Sequence, residues 1–199
     1  VLEHSLTTRP INDLLPKIEK REKDLLDSNT IPKVAVCGAG CAGVELAFAF
    51  KNRWTKIFGQ EINVDILTNH DKIIPHDKDV TRVQVERKMK EQNITIHTNA
   101  HVTEVTADGV HCEDGNKVDA NVVIWSTGAE PKPVTINSDL DVSKGYFRVN
   151  EYLQSTSHPN VFGGGDCITI SKYEDKPGHF PPKAGVYAVR EGPIMSQNI

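Results

Sequence analysis

The chain has 199 residues, enough for one or two domains with a core of their own. Hydrophobic residues make up 38% and charged residues 25%, an ordinary globular balance that excludes wholesale disorder. With 23 basic and 27 acidic residues the net charge is −4, so there is neither the basic excess of a nucleic-acid binder nor a solvating acidic tail.

In chain order, no charged-then-apolar leader opens the sequence, and no secretory signal is expected. No apolar run reaches the length of a membrane span. The longest, Val44 to Phe50, belongs to a shorter helix, so no transmembrane segment is expected. Residues 1–30 are polar and read as helix after Pro10, with a partial apolar stripe of Leu14, Leu15, Ile18, Leu25 and Leu26. The charges from Lys17 to Asp27 alternate in sign and read as a solvated helix face. Ser28-Asn29-Thr30 and Pro32 close that segment. Lys33 to Cys37 is valine-rich and suits a buried parallel strand. Gly38 to Gly43 turns the chain into a helix from Val44 to Phe58, which Gly59 ends. A second strand is expected at Val64 to Thr68. A helix then starts around Pro75, Asp77 and Asp79, carries Val80, Val83 and Met89, and ends near Asn93.

Ile94 to Thr98 reads as a third strand. Short alternating pieces follow at Val102 to Thr106, Gly109 to Glu113 and around Val118. The dipeptides Asp108-Gly109 and Asp114-Gly115 join them as hairpin turns, which makes a β-meander inserted into an α/β unit. Val122 to Trp125 is one more buried strand. From Pro131 the texture changes to prolines and polar residues, marking a crossing. A strand at Tyr146 to Val149, the pair Val161-Phe162, and a last helix from Lys183 to Ile199 follow. Gly192-Pro193 should interrupt that helix, because proline has no amide to donate.

Cys37, Cys41, Cys112 and Cys167 form no Cys-x-x-Cys pair. Cys37 and Cys41 read as small, buried, reduced thiols at a tight turn, and a reducing, cytoplasmic setting is expected, with mitochondrial or membrane-peripheral ones left open. His97, His101 and His111 lie on or near the meander without metal-ligand spacing, so no metal site is expected. Trp54 and Phe58, four apart on the first long helix, form a candidate packing pair.

The strongest motif is Gly38-Ala39-Gly40-Cys41-Ala42-Gly43, a G-x-G-x-x-G spacing between a strand and a helix. Gly38 allows the tight turn, Gly40 lets a pyrophosphate reach the backbone, and Gly43 lets helix and strand pack closely. The helix start offers free N–H groups and partial positive charge to the phosphates. The competing reading is a glycine-rich turn without a ligand. A ribose selector belongs at the end of the second strand, where the candidates are Thr68, Asn69 and His70. None is a carboxylate and only His70 could become a cation, so NAD and NADP both stay open. Glu45, read as lying on the first helical turn, has two readings: a carboxylate favoured by the helix dipole, or a group near nicotinamide and flavin.

The second signal is the pair Trp125-Ser126-Thr127-Gly128 and Val161-Phe162-Gly163-Gly164-Gly165-Asp166, each after a buried-looking strand. Glycine there permits close approach of backbone to a ligand, and an aspartate can accept from a sugar or ribityl hydroxyl.

In this order the motifs resemble the pyridine nucleotide–disulfide oxidoreductase superfamily, in particular its NADH dehydrogenase-like branch and the flavoprotein modules fused to selenide, water dikinase. The likeness rests on Gly38 to Glu45, on Ser126-Thr127-Gly128, on Asn160 to Cys167, and on Pro182 to Pro193. It implies that Gly38, Ala39, Gly40, Cys41 and Gly43 hold the nicotinamide cofactor, and that Thr127, Gly128, Gly165 and Asp166 hold FAD. It also implies that Lys183, Ala184 and Val186 face the flavin ring and that Glu45 sits near the nicotinamide. The family's earlier glycine fingerprint does not precede Val34, and the family continues past the last helix, so a piece of a longer protein is expected.

The expected fold is α/β: a Rossmann-like three-layer parallel sheet with a β-meander insertion, plus part of a second, FAD-binding domain. Residues 1–30 would cross from the FAD domain, 31–130 would form the NAD(P) domain, and 131–199 the incomplete remainder of the FAD domain. The implied function is hydride transfer from NAD(P)H to FAD and on to a small-molecule or protein electron acceptor, when the chain is full length. A quinone acceptor is less supported, because Gly185 and Arg190-Glu191 stand where quinone-reducing relatives carry glutamines. Assembly as a homodimer is left open. The alternative is a redox-inactive nucleotide-binding or sensing module attached to another enzyme.

Overall fold

The computed structural model describes residues 2–128, 138–174 and 183–199. The crossing expected from Pro131, and Pro182 of the last motif, fall outside those residues. The chain divides into two compact units, residues 1–127 and 128–199.

The first unit is built on a five-stranded parallel sheet. Its strands are β1 (Ser5–Thr7), β2 (Lys33–Cys37), β3 (Asn63–Leu67), β4 (Ile94–His97) and β8 (Val122–Trp125), in spatial order β1-β8-β2-β3-β4. Period-two alternation assigns the two faces. Val34, Val36, Val64, Ile66, Val122 and Ile124 join one core cluster with residues of three helices, α1 (Ile11–Asp27), α2 (Cys41–Phe58) and α3 (Asp79–Glu91). Ala35, Cys37, Leu67 and Val123 face the other way, onto Val105, Val110 and Cys112 of the meander. The meander is β5 (Val102–Thr106), β6 (Gly109–Cys112) and β7 (Lys117–Asp119), an antiparallel sheet of its own. Helices, parallel sheet and meander make the three layers, and both faces of the central strands are buried, hence their near-continuous apolar runs.

Several local expectations need correction. Helix α2 begins at Cys41, three residues before Val44: Gly40 is its extended N-cap, and Gly43 already lies inside its first turn. Glu45 is therefore its fifth residue and beyond the first turn, which removes the helix-dipole reading. Ser5–Thr7, expected only to cross, adds an edge strand by pairing with β8. On α1, Leu14 and Leu25 are buried but Leu15 and Leu26 are exposed. Glu22, in the stretch read as solvated, is only 15% exposed at its side chain and accepts the Trp54 indole N–H at 2.8 Å. Trp54 packs edge-on against Phe58 at 6.0 Å, as expected, and also against Phe50 at 4.8 Å. Val80 and Val83 of α3 point to solvent, and Met89 alone of that stripe is buried. His97 belongs to β4 and bonds Asp65 of β3 at 2.7 Å.

The second unit holds β9 (Val142–Ser143), β10 (Tyr146–Val149) and β11 (Ile168–Ile170) in one small sheet, order β11-β10-β9. Val161-Phe162 makes only an isolated bridge, Phe162 to Gln154, and the strand forms after the glycines instead. Helix α4 (Gly185–Asn198) runs through Gly192-Pro193 without the expected interruption. Proline removes one bond, to the Val189 carbonyl four residues back. Val189 is 76% exposed, so water can satisfy that carbonyl.

Candidate functional site

The strand order of the first unit reverses at β2. From there the chain steps outward through α2, β3, α3 and β4, then returns to the other side of β2 as β8. In open parallel sheets a ligand crevice lies at the carboxyl ends of the strands, at such a reversal. The register aligns those ends: Cys37 pairs with Leu67 and with Trp125, and Leu67 with His97. The Gly38 amide donates to the Leu67 carbonyl at 2.8 Å, and the Ser126 amide to the Cys37 carbonyl at 2.8 Å. Gly38–Gly43, Thr68–His70 and Ser126–Thr127 are thus gathered along one edge.

The three glycines meet different constraints. Gly38 has φ +108°, and a Cβ on it would stand 2.4 Å from the Ser126 carbonyl oxygen. A Cβ on Gly43 would stand 1.8 Å from the Gly38 carbonyl oxygen, so helix and strand approach where a side chain cannot fit. A Cβ on Gly40 would meet nothing within 4 Å. Gly40 is the N-cap of α2, and no side chain caps the helix there. The chain thus has open space beside Gly40 at the positive end of an 18-residue helix, a setting that favours an anion.

The other named residues divide into groups. Ala39 is buried at 2% and offers backbone only. Cys41, expected to be buried, is exposed. Its thiol donates to the Asp77 carboxylate at 3.4 Å, and burial by its neighbours, then Asp77, push its pKa up. Cys37 and Cys112 are buried, and burial first, then Cys112, raises the Cys37 pKa to about 12. Thr68 is 5% exposed and its hydroxyl accepts the His70 amide at 3.2 Å, so it shapes the turn. Asn69 and His70 are exposed beyond it, and so is Glu45 on α2. Thr127 and Gly128 are exposed after β8.

Sequence reasoning missed Ile74. It is 5% exposed with φ +38°, and its amide donates to the Ala39 carbonyl inside the glycine turn at 2.7 Å. No sequence signal marks it, since β-branched residues resist positive φ.

In the second unit Gly165, φ +75°, opens a 3₁₀ turn through Asp166 and Cys167. Its amide donates to the Glu191 carboxylate at 2.6 Å, and a Cβ on it would press the Ala188 Cβ at 3.2 Å, so α4 seats against this turn. Lys183 bonds the Ile168 carbonyl and lies 4.2 Å from the Tyr146 ring centroid. Its desolvation lowers its pKa, while Asp166 and Glu191 work the other way. Ala184 is the uncapped N-cap of α4, and Val186 is 49% exposed. Cys167 is exposed.

A cavity of about 310 Å³ lies elsewhere, at the opposite edge of the parallel sheet, lined by residues such as Ser5, Arg21, Asn121 and Val122, and it contains none of these groups. Among the described residues no cluster of three metal-ligating side chains occurs, and no helix is long and apolar enough to cross a membrane.

Comparison with known proteins bears on the same segments. The family model described as pyridine nucleotide-disulphide oxidoreductase matches residues 13–192. An NADH oxidase of Streptococcus pyogenes is 31% identical over 87% of this chain and 37% of its own length. A type II NADH:quinone oxidoreductase of Haemophilus influenzae is 24% identical over 83% of this chain and 39% of its own length. Among solved structures, an NAD-dependent persulfide reductase from A. fulgidus superposes with a TM-score of 0.75 at 22% identity, covering 98% of this chain and 35% of that one. The chain spans between 37% and 39% of the length of these curated relatives.

Proposed function

The chain belongs to the pyridine nucleotide-disulphide oxidoreductase family, and from that premise we propose that its first unit binds the nicotinamide dinucleotide of an FAD-dependent oxidoreductase. Its second unit then supplies part of the flavin site. The observation that carries this reading is the glycine turn: two glycines where a Cβ would clash, and between them one that faces open space at an uncapped helix start.

In the whole protein, Gly38, Ala39, Gly40, Cys41 and Gly43 would hold the dinucleotide pyrophosphate through backbone amides. Asn69 and His70 would lie toward the adenosine ribose, with Thr68 shaping their turn. Glu45 would stand near the nicotinamide, and Thr127, Gly128, Gly165 and Asp166 on the flavin side. Lys183, Ala184 and Val186, at the start of α4, would lie along the flavin ring. When bound, the two cofactors supply hydride transfer from NAD(P)H to flavin; the chain's part is to align them and keep water out. The relatives' names span an oxidase and a quinone reductase. Both names include NADH and differ in the acceptor, so this reading extends to the nicotinamide and flavin and names no acceptor.

Anaerobic stopped-flow on the full-length flavoprotein tests the reading. Bleaching of the flavin by NADH or NADPH is the expected result. Binding without bleaching would favour the redox-inactive sensing module, and no binding would overturn the dinucleotide assignment itself.

A further inference from the structure

Ile74 combines three properties that do not belong together by default. It is buried, it is β-branched, and its φ is +38°. Such a residue persists in the left-handed region only where its surroundings over-determine it. What its backbone does there is donate to the Ala39 carbonyl at 2.7 Å. Ala39 and Gly40 are joined by a trans peptide, the cis bond among the described residues lying at Arg9-Pro10. A trans peptide holds its C=O and its N–H on opposite sides of the bond. Turning the Ala39 carbonyl toward Ile74 therefore turns the Gly40 N–H away from it.

The segment that makes this contact is itself tied down. The Asp77 amide donates to the Ile74 carbonyl at 3.0 Å, and the Cys41 thiol donates to the Asp77 carboxylate at 3.4 Å. At its other end the Asn99 amide donates to the His70 carbonyl at 2.8 Å, and the His70 amide to the Thr68 hydroxyl at 3.2 Å. One loop thus carries the exposed ribose-side candidates, Asn69 and His70, and also grips the turn that would meet the phosphates.

We infer that Ile74 is a positioning residue of the dinucleotide site: its amide fixes the Ala39 carbonyl and so presents the Gly40 N–H to the diphosphate. This rests on the dinucleotide reading above. Ile74 acts through Ala39, by setting the peptide plane before the ligand arrives.

The test uses ADP-ribose, which carries the diphosphate without nicotinamide. In the wild-type protein the amide resonance of Gly40 should move strongly downfield as ADP-ribose binds. Replacing the Ile74 amide by an ester keeps the side chain and deletes the donor. It should weaken ADP-ribose about tenfold and abolish most of the Gly40 movement. Ile74→Gly keeps the donor and should lose less affinity than the ester. An ester variant that binds as tightly as wild type overturns the inference, as does Ile74→Gly losing as much as the ester. Should the ester chain not fold, the wild-type Gly40 resonance decides alone, and a resonance that stays in place overturns it. A wild-type protein that binds neither NADH nor ADP-ribose would instead fail the functional reading on which this rests.

Discussion

Gly40 and Gly43 are three residues apart and face opposite surroundings, so alanine at each should fail in a different way. Gly40→Ala meets no atom within 4 Å and has φ −74°, which alanine accepts. Its stability should stay at the wild-type level while affinity for NADH falls, because the new methyl would occupy the space that the proposed phosphate site requires. Gly43→Ala drives a methyl to 1.8 Å from the Gly38 carbonyl oxygen. Overpacking of that kind costs about 1–3 kcal/mol, so its denaturation midpoint should drop along with binding. Urea melts and calorimetric titration separate the two. The cysteines give a second check. Of the four cysteines in this chain, Cys41 and Cys167 should react with an aromatic disulfide reagent in the folded state, and the buried Cys37 and Cys112 should not. NADH should slow Cys41 and leave Cys167 unchanged, whereas equal protection, or none, would argue against a dinucleotide on this turn.

Between elements, α1 and α2 are joined by a bond that the sequence conceals. The Trp54 indole is fully buried and donates to Glu22 at 2.8 Å. Glu22→Ala leaves that N–H without its partner, at a cost of about 1–3 kcal/mol, readable as a lower thermal midpoint. Alternating charge made this stretch of α1 look uniformly solvated, since the pattern alone does not say which carboxylate turns inward. Strands β2 and β8 were legible because valine-rich runs of four or five residues end at glycine or polar turns, and β10 because Tyr146, Phe147 and Val149 follow the turn at Gly145. Strands β1 and β11 were not, each being three residues long, and β1 exists only through its register with β8. Of the site, the glycines were legible because spacing alone implies a turn. The Ile74 contact was hidden because it is a backbone bond at a conformation that contradicts the residue's own preference. The meander was announced by Asp108-Gly109 and Asp114-Gly115. Its first turn should also respond to acid. Lys117, then Thr106, hold Asp108 down at about 2. A carboxyl depressed on folding stabilises above the ordinary aspartate range, and that contribution is lost as pH falls through about 2. Protection of the Val110 amide, taken relative to its intrinsic exchange rate at each pH, should fall over that interval in wild type and change less in Asp108→Asn.

At the scale of the whole molecule, a dinucleotide that binds the folded first unit alone must stabilise it by mass action. NADH at about 100 times its Kd should add about 2.7 kcal/mol to the unfolding free energy, with a matching rise in melting temperature. A melting curve indifferent to NADH and NADPH would contradict the assignment. Covering one side of the parallel sheet with a meander instead of helices has a further consequence, for how molecules meet one another. A helix has no unpaired ladder, whereas β7 ends its sheet with a row of backbone groups open to pairing. Lys117 stands on that rim, clamped between Asp108 at 2.6 Å and Asp119 at 3.3 Å. Those charges act as a fence, and a chain carrying valine at both 117 and 119 should self-associate through this border at concentrations where the parent stays dispersed.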